Sequence, residues 1–155
     1  MFGIATKPRI YNLGDLFPGA AENGGGCVIY TTADKHHGLA VWLRAVSTST
    51  TWNYEMANVD NTYTDNWGPW KLPTESQFDT YIRQMWNGLA TDYLPWGQGF
   101  WPAKPLAKTS LGDSILLRDS VDGTYCRRYV VGTDTFADFG KATTTSDFRI
   151  LVREF

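Results

Sequence analysis

Pro73-Thr74-Glu75-Ser76-Gln77-Phe78-Asp79-Thr80-Tyr81-Ile82-Arg83-Gln84-Met85-Trp86 is the stretch that decides the fold. Thr74 followed three residues later by Gln77 has the form of a capping box, in which the threonine side chain caps the first turn and the glutamine reaches back. Behind it Phe78, Tyr81, Ile82, Met85, Trp86 and Leu89 recur at i, i+3, i+4, i+7, i+8 and i+11. That spacing lays one apolar stripe along a helix, so the sequence predicts an amphipathic helix over 74–88 that packs along a sheet or core. Asn87-Gly88 supplies its stop.

The sequence on either side of this helix reads as strand. Cys27-Val28-Ile29-Tyr30 is a short β-prone run, and the polar residues 31–38 turn the chain into Leu39–Val46. In that second run Leu39, Val41, Leu43 and Ala45 share one face and Trp42, Arg44 and Val46 the other, so the pair reads as a hairpin. Residues 1–26, with Pro8, Pro18 and Gly24-Gly25-Gly26, read as an irregular lead-in, and residues 47–70 hold at most a short helix near Trp52–Val59. Downstream, 114–118, 124–131 and 148–155 are strand candidates. The last alternates Phe148, Ile150 and Val152 inward against Arg149 and Arg153, with Glu154 near them. Gly132–Asp147 reads as a Thr-rich loop around a short strand at 135–139. The expectation is a single α+β domain over 1–155, mainly antiparallel sheet, with one main helix and long irregular loops.

Composition narrows the functional classes. The chain has 155 residues and a formal net charge of -2, without the basic surplus of a general nucleic-acid binder. Charged residues are 19 % and aromatics 15 %, the reverse of a disordered chain. No apolar run is long enough to cross a bilayer as a helix. The N-terminal MFGIATKPRI lacks the apolar core and cleavage site of a signal peptide.

Trp70-Lys71-Leu72-Pro73-Thr74 followed by an acidic residue and an amphipathic helix resembles the W-[RK]-LPT-x-x-E/Q motif of bacterial C-type-lectin-like domains, the Fibrobacter-type major paralogous domain and its relatives. Three further pieces agree in order. Asn12-Leu13-Gly14-Asp15-Leu16 resembles the family's opening G-D signature, His37-Gly38-Leu39-Ala40-Val41 its HG strand entry, and Phe148–Phe155 its closing strand. The resemblance runs from about residue 12 to the end. It departs from the family in the middle, where an aromatic, proline-rich segment replaces a Tyr/Trp-Ser-Ser tract. It implies a C-type-lectin-like fold whose N- and C-terminal strands pair, with loops above the scaffold presenting the ligand surface.

Few residues suggest reaction chemistry. His36-His37 reads as a turn pair, since adjacent imidazoles seldom converge on one ion and no third ligand follows at suitable spacing. Lectins of this fold that bind sugar through calcium carry Glu-Pro-Asn or Gln-Pro-Asp and Trp-Asn-Asp tripeptides. None occurs here, and Trp52-Asn53-Tyr54 is only a near miss, so no metal or cofactor is expected. Formylglycine-generating relatives use a close cysteine pair. Cys27 and Cys126 read as two buried thiols, or as one long-range disulfide in an oxidising compartment.

The segment 92–108 is different. Pro95, Pro102 and Pro105 exclude a helix or central strand, yet Tyr93, Trp96, Phe100 and Trp101 carry large aromatic surface. The rings are either a satellite core beneath a loop or a contact surface. As a contact surface they would work with Gln98, and with Asp134 and Asp138 from the neighbouring 133–147 segment, as partner-binding residues. Three classes then compete: a surface module binding a glycan or protein, a bacteriophage virion protein, and a formylglycine-generating-type enzyme. A virion protein assembles in the cytoplasm and needs no export signal, which favours that class. The expectation is therefore a non-catalytic recognition or assembly module in a virion or at an extracellular surface. Its partners would be other structural proteins, further copies of itself, or a cell-surface glycan or protein, without nucleic acid or membrane insertion.

Overall fold

The computed structural model describes residues 9–17, 26–62, 64–65, 68–84, 93–94, 106–107 and 114–155. In chain order the elements are β1 (Leu16–Phe17), β2 (Gly26–Thr31), β3 (Gly38–Thr50), α1 (Trp52–Thr62), β4 (Thr64–Asp65) and β5 (Gly68–Pro69). A second helix, α2, opens at Glu75–Gln77 and continues as a π-helical stretch over Phe78–Arg83. Then follow β6 (Tyr93–Leu94), β7 (Leu106–Ala107), β8 (Ser114–Ser120), β9 (Tyr125–Val130), β10 (Thr135–Gly140) and β11 (Thr145–Glu154). Two antiparallel sheets dominate, a four-stranded one in the order β1-β2-β3-β11 and a three-stranded one in the order β10-β9-β8.

The expected hairpin is β2–β3, with Cys27 opposite Val41 and Thr31 opposite Gly38. The closing strand pairs with it as expected: β11 runs antiparallel to β3, with Ile150 opposite Leu43 and Val152 opposite Val41. The turn between β2 and β3 is fixed locally. Thr32 Oγ1 donates to Asp34 Oδ1 at 2.6 Å, and Lys35 adopts a φ of 59°. The ring of His36 sits 3.1 Å from the Arg9 carbonyl, so the histidine pair belongs to a turn.

Alternation along the strands feeds two cores. One joins Leu39, Val41, Ile150 and Val152 to Ile115, Leu117 and Tyr129 of the second sheet, with Phe78 and Ile82 of α2 completing it. The other lies on the opposite faces, where Val28, Ala40 and Leu151 meet Leu116, Cys126, Trp52, Trp70 and Leu72. The stripe on α2 is therefore real as far as it is described: Phe78 and Ile82 are fully buried and Tyr81 packs at the edge. Met85, Trp86 and Leu89 lie outside the described residues. The capping box forms in both directions, with Gln77 N–H donating to Thr74 Oγ1 at 3.1 Å and Thr74 N–H donating to Gln77 Oε1 at 3.0 Å.

The segment before α2 joins the two sheets. Lys71 N–H donates to the Val152 carbonyl at 3.0 Å and Val152 N–H returns the bond to Lys71 at 2.7 Å. Two residues on, the Pro73 carbonyl accepts from Arg118 N–H of β8 at 2.7 Å. Trp70-Lys71-Leu72-Pro73 thus acts as a short extra strand between β11 and β8, with Trp70 and Leu72 buried beneath it. Gly26 makes room for this arrangement, because a Cβ there would run into the Trp70 ring and the Val41 carbonyl.

Four expectations need correction. Residues 132–147 are not mainly loop: β10 is a full strand, paired with β9 from Thr135–Val130 to Gly140–Tyr125, and β11 begins at Thr145. Cross-strand pairing outweighs the weak strand propensity of Ala137, Asp138 and Gly140. The polar Ser/Thr run after Val46 continues β3 to Thr50, opposite Thr145, because β11 offers it a ladder. The N-terminal lead-in contributes to the core: Tyr11 and Phe17 are buried, and both rings pack 4.6 Å from that of Phe155. Finally, the second face of β11 is not solvated. Arg149 is fully buried and Arg153 only 5 % exposed. Arg149 Nη2 donates to Thr50 Oγ1 at 3.1 Å and to the Thr145 carbonyl at 3.0 Å, and its Nε lies 3.9 Å from Glu55 of α1. The Arg153 guanidinium stands over the rings of Phe17 and Trp70, at 5.3 and 5.9 Å.

Candidate recognition surface

The aromatic segment is closed at its base. Tyr93 pairs with Ala107 and Leu94 with Leu106, so the chain leaves and re-enters through one antiparallel β6–β7 contact. Of the residues singled out from sequence, Tyr93 occupies this base. Trp96, Gln98, Phe100 and Trp101 lie outside the described residues.

Asp134 and Asp138 are both described, and both tether β9–β10 to α2. Asp134, at the turn entering β10, has a φ of 55°. Its Oδ1 accepts from Arg83 Nε at 3.1 Å and from the Tyr129 hydroxyl. Arg83 also donates from Nη1 to Asp79 at 2.7 Å. Burial, followed by this contact with Asp134, pushes the Tyr129 hydroxyl above its ordinary pKa, so it stays a donor. Asp138 accepts from Arg127 Nη1 at 2.8 Å, and Arg127 Nε donates to Glu75 at 2.6 Å. The two aspartates thus stand at the entry to β10 and within it as half-exposed carboxylates, at 49 % and 53 % exposure, each already committed to a separate ion pair within the chain.

The thiols are held differently. Both cysteines are free; Cys27 packs against the first core and Cys126 belongs to the second. Burial, above all, pushes each thiol up to about 11, so both are protonated at neutral pH. Among the described residues no group of three His, Cys, Asp or Glu side chains could hold a metal ion, and no helix is long and apolar enough to cross a membrane.

Two pockets lie where α2 meets the end of β11, and sequence reasoning missed them. The first, about 290 Å³, is lined by Lys71, Arg118 and Arg153 together with Thr74. The second, about 250 Å³, is lined by Tyr30, Tyr81, Phe155 and His37. Gln77 and Glu154 border both, and Gln77 Nε2 donates to Glu154 Oε1 at 2.7 Å between them. Tyr30 and Tyr81 pack with centroids 4.6 Å apart. The capping-box glutamine was the one visible signal; the cations come from three separate segments and meet only on folding. Neither known protein-family models nor curated proteins match this chain.

Proposed function

We propose that the chain is a non-catalytic recognition or assembly module on a C-type-lectin-like scaffold, serving as a structural or receptor-recognition protein of a bacteriophage virion. The observation that carries this reading is the pairing of β6 with β7, which anchors both ends of the aromatic loop at one place. A loop so anchored, and stiffened by three prolines, loses less entropy when it is ordered against a partner. Trp and Tyr are also the residue types that most often anchor interfaces. The scaffold is consistent with the lectin-like resemblance: the first and last strands belong to one sheet, in which β11 pairs with β3 rather than with β1, and the W-K-L-P-T segment lies at the junction of the sheets. Two protonated thiols divided between separate cores support a role without cysteine chemistry.

The test is the double substitution Trp96→Ala with Trp101→Ala, scored for thermal stability and for association. Association is measured by sedimentation velocity for self-assembly and by pull-down on purified phage particles and host cells. Lost association at an unchanged melting temperature supports the proposal. Lost stability alone places the rings in a satellite core and moves the contact surface elsewhere.

A further inference from the structure

We infer that the cavity where β2, α2 and the end of β11 meet binds an alkylated ammonium head group, with the rings of Tyr30 and Tyr81 as its wall and the Glu154 carboxylate as its counter-charge. At about 250 Å³ it falls just below the roughly 300–1,000 Å³ of sites that take a whole drug-sized ligand, so it suits one head group of a larger molecule. Its apolar lining comes from Tyr30, Tyr81, Phe155 and Leu39. Gly38 lies among them, and a Cβ there would run into the Tyr30 carbonyl and the Phe155 ring. Tyr30 and Tyr81 pack with their planes tilted by 32°, and Tyr30 remains 37 % exposed. Aromatic faces carry the negative end of the ring quadrupole and attract cations. Among the described residues Glu154 is the only carboxylate that lines this cavity, and no lysine or arginine does. The carboxylate is held in place at the cavity's border: Gln77 Nε2 donates to Glu154 Oε1 at 2.7 Å, while Gln77 Oε1 is itself fixed by Thr74 N–H at 3.0 Å. The other carboxylate oxygen has no hydrogen-bond partner among the described residues. Thr32 Oγ1, also in the lining, is turned to Asp34 Oδ1 at 2.6 Å. A primary ammonium would bring three donors into a site whose polar groups are mostly engaged, whereas an alkylated one carries its charge behind methyl groups and has no donor to leave unmet. Tyr81 belongs to the π-helical stretch of α2, and such turns are rare and concentrate at functional sites. The site uses no residue of 92–108, so it stands or falls independently of the proposed recognition surface.

The experiment is an NMR titration of the full chain at constant ionic strength with choline and with 3,3-dimethyl-1-butanol, which has the same shape and no charge. Choline is expected to shift the amides of Tyr30, Gly38, Gln77 and Glu154 saturably and to bind at least about fivefold more tightly than the alcohol. E154Q keeps an acceptor for Gln77 but loses the charge, and Y30L keeps apolar bulk but loses the ring. Each should reduce the preference for choline at least about twofold, with the alcohol affected less. Both positions are exposed, so an unchanged melting temperature is expected; should Y30L fail to fold, E154Q still decides the matter. Phosphocholine and Nα-acetyl-Nε-trimethyllysine then distinguish the two sources of such a group, a choline ester and an alkylated lysine side chain, and the tighter binder names the source. The inference is overturned if choline does not saturate these shifts, if the alcohol binds as tightly, or if a folded E154Q or Y30L protein keeps the full preference.

Discussion

On one face of β11, Ile150 and Val152 pack against Phe78, Ile82 and Leu117; on the other, Arg149 and Arg153 are buried with Leu151 beneath α1 and the N-terminal rings. Both faces are equally dry. The first is filled by side chains that gain from leaving water in any orientation. The second contains charges whose desolvation is offset by specific partners, among them Glu55, Thr50 and the Thr145 carbonyl for Arg149 and two aromatic faces for Arg153. The apolar face therefore supplies stability with loose geometric demands. The cationic face fixes where α1 and the N-terminal segment must sit.

The largest effect should come from charging the apolar face. Ile82→Asp puts a carboxylate where exposure is 0 % and no described cation lies in the cluster. A loss on the order of 5 kcal/mol or more would consume most of a domain's stability, so the variant should be unfolded by circular dichroism and near-ultraviolet signal. A soluble I82D protein with a cooperative melt would refute the helix placement.

Breaking the cationic face should cost nearly as much, for a different reason. Glu55→Ala removes a buried carboxylate 3.9 Å from Arg149, and removal of one member of a buried pair costs about 3–5 kcal/mol. The double variant R149M/E55L removes both charges and should recover most of that loss in urea denaturation. If the double variant is no better than the single, the pair does not act as a unit.

These two faces also show what could be read in advance. The helix start was legible because Thr74 and Gln77 are three residues apart, and the β3–β11 ladder because Leu39–Val46 and Phe148–Val152 alternate strongly. The second core was not. Arg149 and Glu55 meet from distant positions, and an arginine alternating with apolar residues has the pattern of a solvated face. β10 was half legible, since its alternation is weak and its stability depends on β9. For the candidate surface, the sequence pointed to Asp134 and Asp138 but not to their engagement with Arg83 and Arg127, which depends on how α2 packs.

A smaller loss is expected at the joint between sheets. Gly26→Ala drives a methyl group into Trp70 and the Val41 carbonyl, and overpacking of this kind costs about 1–3 kcal/mol. Calorimetry should show a lower melting temperature with two-state unfolding retained. The surface ion pairs mark the lower end of the scale: Arg83→Ala should cost about 1 kcal/mol or less, because Asp134 is half exposed.

The smallest effect concerns pH. Hydrogen bonds hold the Asp34 carboxyl below its ordinary 3.8, chiefly that from the Thr32 hydroxyl, and those from Thr124 and Tyr125 N–H do the same for Asp122. A depressed carboxyl contributes stability above its unfolded pKa and loses it as pH falls through the folded value. D34N and D122N should therefore flatten the acid limb of stability below about pH 4, with little change at neutral pH. An unchanged acid limb would remove these turns from the account.

The joining of the two sheets through Trp70–Pro73 is tested most directly by native-state hydrogen exchange at the amides of Lys71, Val152 and Arg118. If this segment binds the sheets into one cooperative unit, all three amides exchange only through global unfolding, with equal free energies and equal denaturant dependence. If Arg118 exchanges through a lower-energy opening while Lys71 and Val152 remain protected, the sheets separate independently and the segment does not hold them together.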